Sequence, residues 1–437
     1  MPKIKPFKAT LYNKDLISDF NIVVAPPYDV ITPEEREIFA NKSPYNIVHL
    51  TLPEGEGDKK YENAKKKMLS WLLKDVIFTD KDEGIFIYEQ KFSFRGKNYK
   101  RRGIVAIMMV EDYGNGVFRH EKTFGGPKED RKKLMESVDG HLEPLFFLYA
   151  DKGSEINNKI YDMEFDYTSR SVVDEFGVKH TLWKIPDKKL EEFIINKLSQ
   201  SNIYIADGHH RYETSLLYAK EKGLDETKPY SYVLAAFFNM YSKDLVILPT
   251  QRLVKVDSFL QDEFMKKVNE YFKIAAIQYS DEVADVSIAR LVSVMRDRKE
   301  KGMVCFGLYS MYDPSKIYLI TLKEELKDGI IKELSDIFGP EVASLDVLIL
   351  TEIVLKRILG LSDEKVTSKA YVDYTRYEKD AISTVKKGVR DLAFLLNPTS
   401  IEEVIKVSEK NLVMPQKSTD FFPKIESGLV MYLFGEQ

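Results

Sequence analysis

Apolar residues recur along this chain at two spacings, one typical of strands and one typical of helices. Pairs of apolar runs separated by short polar turns predict three β-hairpins, formed by 85–94 with 98–110, 230–241 with 245–254, and 302–311 with 317–322. Helical spacing predicts helices at 33–42, 59–73, 128–137, 190–198, 258–272, 285–299, 345–359, 378–390 and 401–407. Because strand pairs and helices do not alternate strictly, the pattern indicates an α+β (mixed α/β) fold rather than a Rossmann fold.

A chain of 437 residues is too long for one compact core, so two or three domains are expected. The stretch 112–118 contains Asp-Tyr-Gly-Asn-Gly, which is typical of a turn between domains. The sequence therefore predicts an N-terminal α/β domain at 1–115 and a second region at 116–437. We expect that second region to contain inserted hairpins and helices.

Composition and charge narrow the class of protein. Charged residues make up 31% of the chain but the formal net charge is only −4, so the basic excess typical of nucleic-acid-binding proteins is missing. The single cysteine, Cys305, lies in an apolar run and is predicted to be a buried packing residue; one cysteine excludes an intrachain disulfide and a thiol-rich zinc site. No apolar run approaches the ~18 residues that a membrane span needs, and the start of the chain does not resemble a signal peptide. We therefore expect a soluble, cytoplasmic protein.

Ionisable side chains are most concentrated in the motif Asp207-Gly208-His209-His210-Arg211, which contains a carboxylate, two imidazoles and a guanidinium. The apolar run 202–206 before it predicts a short buried strand, and 212–222 after it predicts a helix. A strand-to-helix turn presents backbone amides that favour bound anions. Because titratable groups gain little from a core position, the motif predicts an anion-binding turn. Adjacent histidines are expected to differ in role, with one facing a phosphate or metal and the other structural.

A second candidate segment covers 120–131, with the sequence His-Glu-Lys-Thr-Phe-Gly-Gly-Pro-Lys-Glu-Asp-Arg. Its Gly-Gly-Pro run opens a predicted helix and leaves the backbone free to approach a ligand. Lys122, Lys128 and Arg131 supply positive charge, and Glu121 can accept a proton. The alternative is a surface loop with capping carboxylates. A metalloprotease motif is excluded because no second histidine follows four residues after the first.

The third segment, 415–424, places Lys417 beside the hydroxyls of Ser418 and Thr419, between two prolines. This arrangement suits a loop that binds a carboxylate or a phosphate, and a solvated loop is the alternative. Two further residues were considered for binding. Arg252 is an anion-contact candidate, with a surface arginine as the favoured interpretation, and Asp29 is predicted to cap a proline-rich turn.

Taken together, the three segments resemble the free L-serine kinases built on the ParB/sulfiredoxin-like fold, and a longer bacterial and archaeal family related to those kinases. The resemblance extends over nearly the entire chain. The family's His-Glu pair matches 120–121, its Asp-Gly-His-His-Arg motif matches 207–211, and its Lys-(Ser/Thr)-Thr loop matches 417–419. The small serine kinases continue that loop with Arg-His, whereas this chain has Asp420-Phe421.

The resemblance implies a fold and an activity. It implies that 116–437 is a catalytic region with a ParB/sulfiredoxin-like core, and that the protein phosphorylates the hydroxyl of free L-serine to give O-phospho-L-serine. Inorganic pyrophosphate is the preferred donor, with ATP or ADP as alternatives, and Mg²⁺ is the expected cofactor. Neither a nucleic acid nor a membrane is expected as a partner.

The resemblance also implies roles for individual residues. Glu121 is the expected general base. The transferring phosphoryl group and its metal are expected to be bound by Asp207, His209, His210 and Arg211, with Asp207 as the metal ligand. The amino acid is assigned to Lys417, Ser418 and Thr419. Further phosphate contacts are expected from His120, Lys122, Thr123, Lys128 and Arg131.

Two other functions are compatible with the same motifs. A metal-dependent phosphohydrolase would use Asp207, His209 and His210 and would release phosphate without serine. A ParB-like, nucleotide-responsive nucleic-acid-binding module would show a basic face and salt-sensitive DNA binding. The near-neutral charge balance speaks against the second alternative.

Overall fold

The computed structural model describes residues 2–122, 125–166, 168–258 and 260–435, and its contacts divide the chain into two compact units. The first unit comprises Met1–Arg119, Thr123–Val246 and Pro423–Gln437, and the second comprises His120–Lys122 and Ile247–Phe422. The boundary predicted after residue 115 falls inside the first unit, because strands from both sides of it share one sheet.

The first unit is built on a mixed sheet that contains both parallel and antiparallel neighbours. Its strands lie in the order Val117–Phe118, Ile203–Asp207, Leu145–Tyr149, Tyr232–Asn239, Lys97–Met109, Phe86–Phe94, Lys179–Lys184 and Arg170–Val173, with Ile4–Lys5 paired beside Lys97–Met109. Two-stranded pairs are formed by Thr10–Tyr12 with Ile77–Thr79 and by Gly140–His141 with Tyr432–Leu433.

Helices of the first unit cover the sheet and enclose a core of buried aliphatic and aromatic side chains. The α-helices are Pro33–Lys42, Val48–Thr51, Lys59–Leu73, Gly125–Val138, Glu155–Ile160, Lys188–Ser199 and His209–Lys222. Single 3₁₀ turns lie at Phe20–Ile22, Tyr28–Val30 and Pro229–Ser231. The long helices begin where local sequence favours it: Thr32 and Glu35, for example, form a reciprocal capping box at the start of Pro33–Lys42.

The second unit has its own antiparallel sheet and its own core. The strand order is Phe272–Gln278, Lys316–Leu322, Cys305–Ser310, Leu392–Leu395, Gln251–Val254 and Val372–Thr375. Its helices are Gln261–Tyr271, Ala284–Glu300, Glu324–Phe338, Pro340–Ala343, Asp346–Ile349, Asp363–Thr367, Glu378–Lys386 and Ile401–Glu409, with a π-helical stretch at Leu350–Ile358 and a 3₁₀ turn at Asp281–Val283. Short strands lie at Val246–Leu248 and Asp420–Phe422.

The fold class predicted from the sequence, α+β with mixed sheets, is confirmed. Two of the predicted hairpins, 85–94 with 98–110 and 302–311 with 317–322, are confirmed. In the first of these, Arg95 and Gly96 form the turn with φ values of 49° and 75°, which a tight hairpin turn requires. The remaining hairpin prediction, 230–241 with 245–254, is wrong. Tyr232–Asn239 is buried on both faces and pairs with two other strands, so its polar turn leads away from the sheet.

Predicted helices are mostly confirmed, with corrections at their ends. Two of them, 33–42 and 59–73, have the predicted bounds. The helix predicted at 258–272 is shorter, since Phe272 already belongs to a strand. The helix Glu324–Phe338 was missed. Cys305 is fully buried, as predicted, and burial raises the pKa of its thiol to about 12. Among the described residues no helix combines the length and the apolar character that a bilayer crossing requires.

Candidate active site

The motif Asp207–Arg211 lies where a buried strand turns into a helix, as predicted. Ile203–Asp207 is the strand, and its pairing with Leu145–Tyr149 shifts register between Ile205 and Asp207. The helix begins at His209, three residues earlier than the sequence indicated, so both histidines and Arg211 lie in its first turn. Such an irregularity at a strand end re-aims the last side chain, here the carboxylate of Asp207.

Gly208 makes this sharp turn possible. It occupies the N-cap position of the helix with φ 93° and ψ 27°, a left-handed conformation that other residues adopt at a cost. A Cβ at this position would lie 2.5 Å from Leu145 Cδ2 and 3.0 Å from Arg211 Nη2. The turn therefore requires glycine both for its backbone angle and for the close approach of Arg211.

Arg211 connects two carboxylates of the first unit. Its Nη2 lies 3.2 Å from Asp207 Oδ2 and its Nη1 lies 3.1 Å from Glu143 Oε1, while Lys424 Nζ lies 2.9 Å from the second oxygen of Asp207. We call these four residues the Asp207 group. Burial alone would lower the pKa of Arg211, but Glu143 and Asp207 outweigh it and raise that pKa. The guanidinium therefore carries a fixed positive charge at the helix start.

A further cation, Arg131, lies near the Asp207 group. Its guanidinium lies 4.1 Å from the ring centre of Tyr28, and burial, followed by the charge of Asp29, raises the pKa of Tyr28 to about 12. Arg131, Glu143 and Arg211 all line one cavity of about 60 Å³, which is large enough for several water molecules. Arg131 and Arg211 thus border the same space, as a phosphate site would require.

Other residues predicted to bind phosphate differ in burial and in their partners. Lys128 Nζ lies 2.8 Å from Glu213 Oε1, on the helix that follows the motif. His209 is 5% exposed and His210 is half-buried. Thr123 lies outside the described residues.

In the second unit, His120 and Glu121 contact the predicted substrate loop. His120 Nε2 lies 2.8 Å from Thr419 Oγ1, although the two residues are 299 positions apart. The backbone N–H of Met414 donates to the His120 carbonyl at 2.7 Å, and Glu121 pairs with Met414 in a parallel bridge. Glu121 is half-buried and Lys122 is exposed. The structure therefore brings the His-Glu pair and the Lys-Ser-Thr loop together.

The loop itself is fixed by backbone hydrogen bonds. Lys417 is exposed and has φ 54°, while Ser418 and Thr419 are 3% and 9% exposed. Ser418 Oγ donates to the Pro415 carbonyl at 2.6 Å, and Thr399 Oγ1 donates to the Ser418 carbonyl at 2.7 Å. These bonds hold a turn whose lysine side chain faces solvent.

Arg252 supports this loop from the strand Gln251–Val254, and the sequence-based interpretation of it as a surface residue is wrong. It is 3% exposed rather than a surface residue, and its Nη2 donates to the carbonyls of Gln416 at 3.4 Å and Lys417 at 3.2 Å. Burial lowers the pKa of Arg252, while the negative charge of Glu121 raises it. One buried guanidinium therefore both supports the loop and attracts the Glu121 carboxylate.

The chain departs from the serine kinases at Asp420, and the structure gives that residue a partner. Arg376 bonds to the Asp420 carboxylate through Nε and, at 3.3 Å, through Nη2. Where the kinases carry an arginine in the loop, this chain carries an acid that holds an arginine from another strand end. Glu143, Lys424 and Arg376 are the residues whose roles sequence reasoning missed, and only spatial contact identifies them.

The expected Mg²⁺ was tested against the surroundings of Asp207. Carboxylate oxygens are the ligands that Mg²⁺ prefers, but each oxygen of Asp207 already bonds to a cation, Lys424 or Arg211. A metal ion at Asp207 would have to displace one of them, so the residues present do not fit the ion in this arrangement. No step of the reaction is assigned to a metal here, and Asp207 as a metal ligand stays a prediction.

Solved structures similar to this chain include three with low sequence identity. A free serine kinase in complex with AMP is 14% identical at a TM-score of 0.33, and the match covers 74% of this chain and 94% of that one. A conserved hypothetical protein from Pyrococcus furiosus is 12% identical at a TM-score of 0.32, covering 72% and 96%. SbnI with C-terminal truncation from Staphylococcus aureus is 12% identical at 0.33, covering 73% and 84%. These TM-scores do not establish a common fold, so the ParB/sulfiredoxin-like core stays a prediction.

Sequence comparison identifies a family. No curated protein matches this chain. A family model does match, and it covers residues 4–348, well over half of the chain. The chain belongs to the family described as Protein of unknown function (DUF1015).

Proposed function

We propose that this protein is a phosphotransferase that phosphorylates the hydroxyl of free L-serine. The observation that carries the proposal is the contact between His120 and Thr419, supported by the backbone bridge at Glu121. The resemblance assigns a base to the first segment and an acceptor site to the second. Segments 299 positions apart have little reason to meet through sequence proximity, so their contact supports a shared task.

In this proposal Glu121 is the general base. Its backbone pairs with Met414, three residues before the exposed Lys417, and a general base has to be within reach of the hydroxyl it deprotonates. The serine oxygen forms a bond to phosphorus, the bond from phosphorus to the leaving phosphate breaks, and the hydroxyl proton passes to Glu121. With pyrophosphate as donor, the products are O-phospho-L-serine and inorganic phosphate.

The Asp207 group is assigned to the transferring phosphoryl group. Phosphoryl transfer depends on positioning and on neutralising charge at the equatorial oxygens, rather than on covalent chemistry of the protein. Arg211 and Lys424 supply positive charge at a helix start, where backbone amides favour anions. Asp207 and Glu143 orient these two cations before the donor binds.

Arg376 is assigned to the carboxylate of the amino acid. It lies at the end of the loop through its bond to Asp420, in place of the loop arginine of the small serine kinases. A guanidinium can bind a carboxylate with two parallel hydrogen bonds, which suits recognition of a free amino acid. Lys417, Ser418 and Thr419 complete the proposed acceptor site.

The direct test combines the full chain with L-serine, MgCl₂ and one donor at a time, namely pyrophosphate, ADP or ATP. O-phosphoserine is measured by ³¹P NMR and mass spectrometry, with L-alanine as the acceptor that lacks a hydroxyl. We expect product with pyrophosphate and none with L-alanine. Absence of product with every donor contradicts the proposal.

The same assay separates the two alternatives. Phosphate release that does not depend on serine indicates the phosphohydrolase. Salt-sensitive DNA binding in a gel shift, without product formation, indicates the nucleic-acid-binding module.

A further inference from the structure

Three metal-ligating side chains converge in the first unit, apart from the Asp207 group. His180 lies on the strand Lys179–Lys184, Asp174 directly follows the strand Arg170–Val173, and Glu426 lies in the C-terminal segment. We call these three residues the Asp174 triad. Their side chains are 0%, 7% and 5% exposed, and one ligand atom from each lies within 4.8 Å of the others.

Glu426 lacks a partner suited to a buried carboxylate. Its carboxylate accepts no hydrogen bond from the described part of the chain. A buried carboxylate without a hydrogen bond is costly, so this group calls for a neutralising ligand.

The spacing of the triad suits one tetrahedral ion. His180 Nε2 lies 3.2 Å from Asp174 Oδ2 and 4.0 Å from Glu426 Oε1. Zinc binds such atoms at about 2.0–2.2 Å, which places tetrahedral ligands about 3.3 Å apart. The distance between His180 and Asp174 already fits, and the distance between His180 and Glu426 is too long by less than an ångström. The ligand atoms of Asp174 and Glu426 lie within 4.8 Å of each other, so Glu426 has to move towards both partners. Magnesium fits less well because it prefers oxygen ligands to imidazole.

Both ring nitrogens of His180 have partners that fix the orientation of the imidazole. Its second nitrogen, Nδ1, lies 2.7 Å from the hydroxyl of Tyr88, which also accepts the backbone N–H of Glu426 at 3.1 Å. Gln90 Nε2, which carries two hydrogens, lies 3.3 Å from the same nitrogen and donates to the Lys424 carbonyl at 2.7 Å. In this arrangement Nδ1 accepts and Nε2 bonds to Asp174, so zinc at Nε2 requires the ring proton to move to Nδ1, where the Tyr88 hydroxyl accepts it. Metal-bound histidines commonly use their other nitrogen in this way, which fixes the ring and its tautomer.

We propose that Asp174, His180 and Glu426 bind one Zn²⁺ ion, with water as the fourth ligand. Two carboxylates, a neutral imidazole and a divalent cation sum to zero charge, so the ion and its ligands together add no net charge to the buried site. The ion joins the sheet to the C-terminal segment, two residues beyond Lys424, which bonds to Asp207. The site is independent of the proposed kinase activity.

The test measures zinc binding by the full chain after treatment with EDTA and dialysis. Isothermal titration with ZnCl₂ is expected to show one site with a Kd of about 1 µM or tighter. Excess zinc is expected to raise the Tm by about 5 °C, since a ligand that binds only the folded state stabilises it.

Variants locate the ion. Glu426→Gln and Asp174→Asn are each expected to weaken zinc binding more than about 100-fold, because even outer-shell changes weaken metal sites by ~10–100-fold. Glu175→Gln removes a neighbouring charge outside the triad and is expected to bind zinc within about threefold of the unchanged chain.

Three outcomes overturn the proposal: no zinc binding by the unchanged chain, unchanged affinity in both triad variants, or equal loss in Glu175→Gln. The unchanged chain alone gives the first result, so the test holds even where a variant fails to fold.

Discussion

The Asp207 group and the Lys417 loop are assembled in different ways. In the first unit, a contiguous motif turns sharply at Gly208, and ion pairs from Arg211 and Lys424 fix its carboxylate. In the second unit, the loop is held mainly by hydrogen bonds to backbone carbonyls, including those from Arg252. The first is strongly charged and has a locally encoded turn that distant Glu143 and Lys424 complete, whereas the second is held mainly by bonds to backbone carbonyls.

This difference has a chemical meaning under the proposed function. A phosphoryl donor carries several negative charges, and fixed cations suit it. A small amino acid is bound by shape and by a few directed hydrogen bonds, for which a backbone-supported loop is suitable. The following predictions test the two regions, and one of them compares the two units that contain these regions.

The largest effect is expected for Glu121→Gln and Asp207→Asn. Each is expected to lower kcat by about 10²–10⁴-fold, since one loses a general base and the other loses the carboxylate that orients Arg211 and Lys424. Steady-state kinetics with serine and pyrophosphate measure the loss, and circular dichroism checks that the variants remain folded. Near-normal turnover in either folded variant contradicts the assignment.

Acid is expected to affect the two units in opposite directions. Burial lowers the pKa of His141 in the first unit to about 4, and burial raises the pKa of Asp346 in the second unit to about 6. Between pH 6.5 and 4, His141 is neutral in the folded protein but protonated in the unfolded chain. The first unit therefore loses stability as the pH falls from 6.5 towards 4. Between pH 3.8 and 6, Asp346 is protonated in the folded protein but ionised in the unfolded chain. The second unit therefore loses stability as the pH rises from 3.8 through 6. Each effect amounts to about 3 kcal/mol.

Hydrogen-exchange mass spectrometry at pH 4 to 7 reads the two units separately. His141→Gln is expected to flatten the pH response of the first unit only, and Asp346→Asn that of the second only. If either variant changes the pH dependence of both units equally, His141 and Asp346 do not determine the difference between the units.

The same difference explains how much could be predicted from sequence. The strand 203–207 and the helix after it have strong local patterns, so the turn was located to within three residues. Glu143 and Lys424 carry no local signal, because strand pairing and the C-terminal segment bring them to Arg211 and Asp207. Arg252 follows a turn-like stretch that predicts an exposed side chain, since a sequence does not show which distant loop covers that side chain.

Gly208→Ala tests whether the first region depends on its local turn. The substitution is expected to lower stability by about 1–3 kcal/mol more than Gly223→Ala, because only the former Cβ meets Leu145. Both glycines have positive φ, 93° and 84°, so the backbone strain is similar and the difference isolates the close approach. Urea unfolding measures it, and equal losses in the two variants contradict the inferred contact.

Arg252→Lys tests whether the second region depends on tertiary support. A lysine keeps the charge but lacks the forked donors that reach the carbonyls of Gln416 and Lys417. We expect KM for serine to rise about tenfold, about 1.4 kcal/mol, while KM for the donor changes little. Arg357→Lys, at an exposed ion pair of the same unit, is the control and is expected to change neither constant. An equal rise in both KM values would mean that Arg252 supports more than the acceptor loop, and the division of labour between the two regions would then not hold.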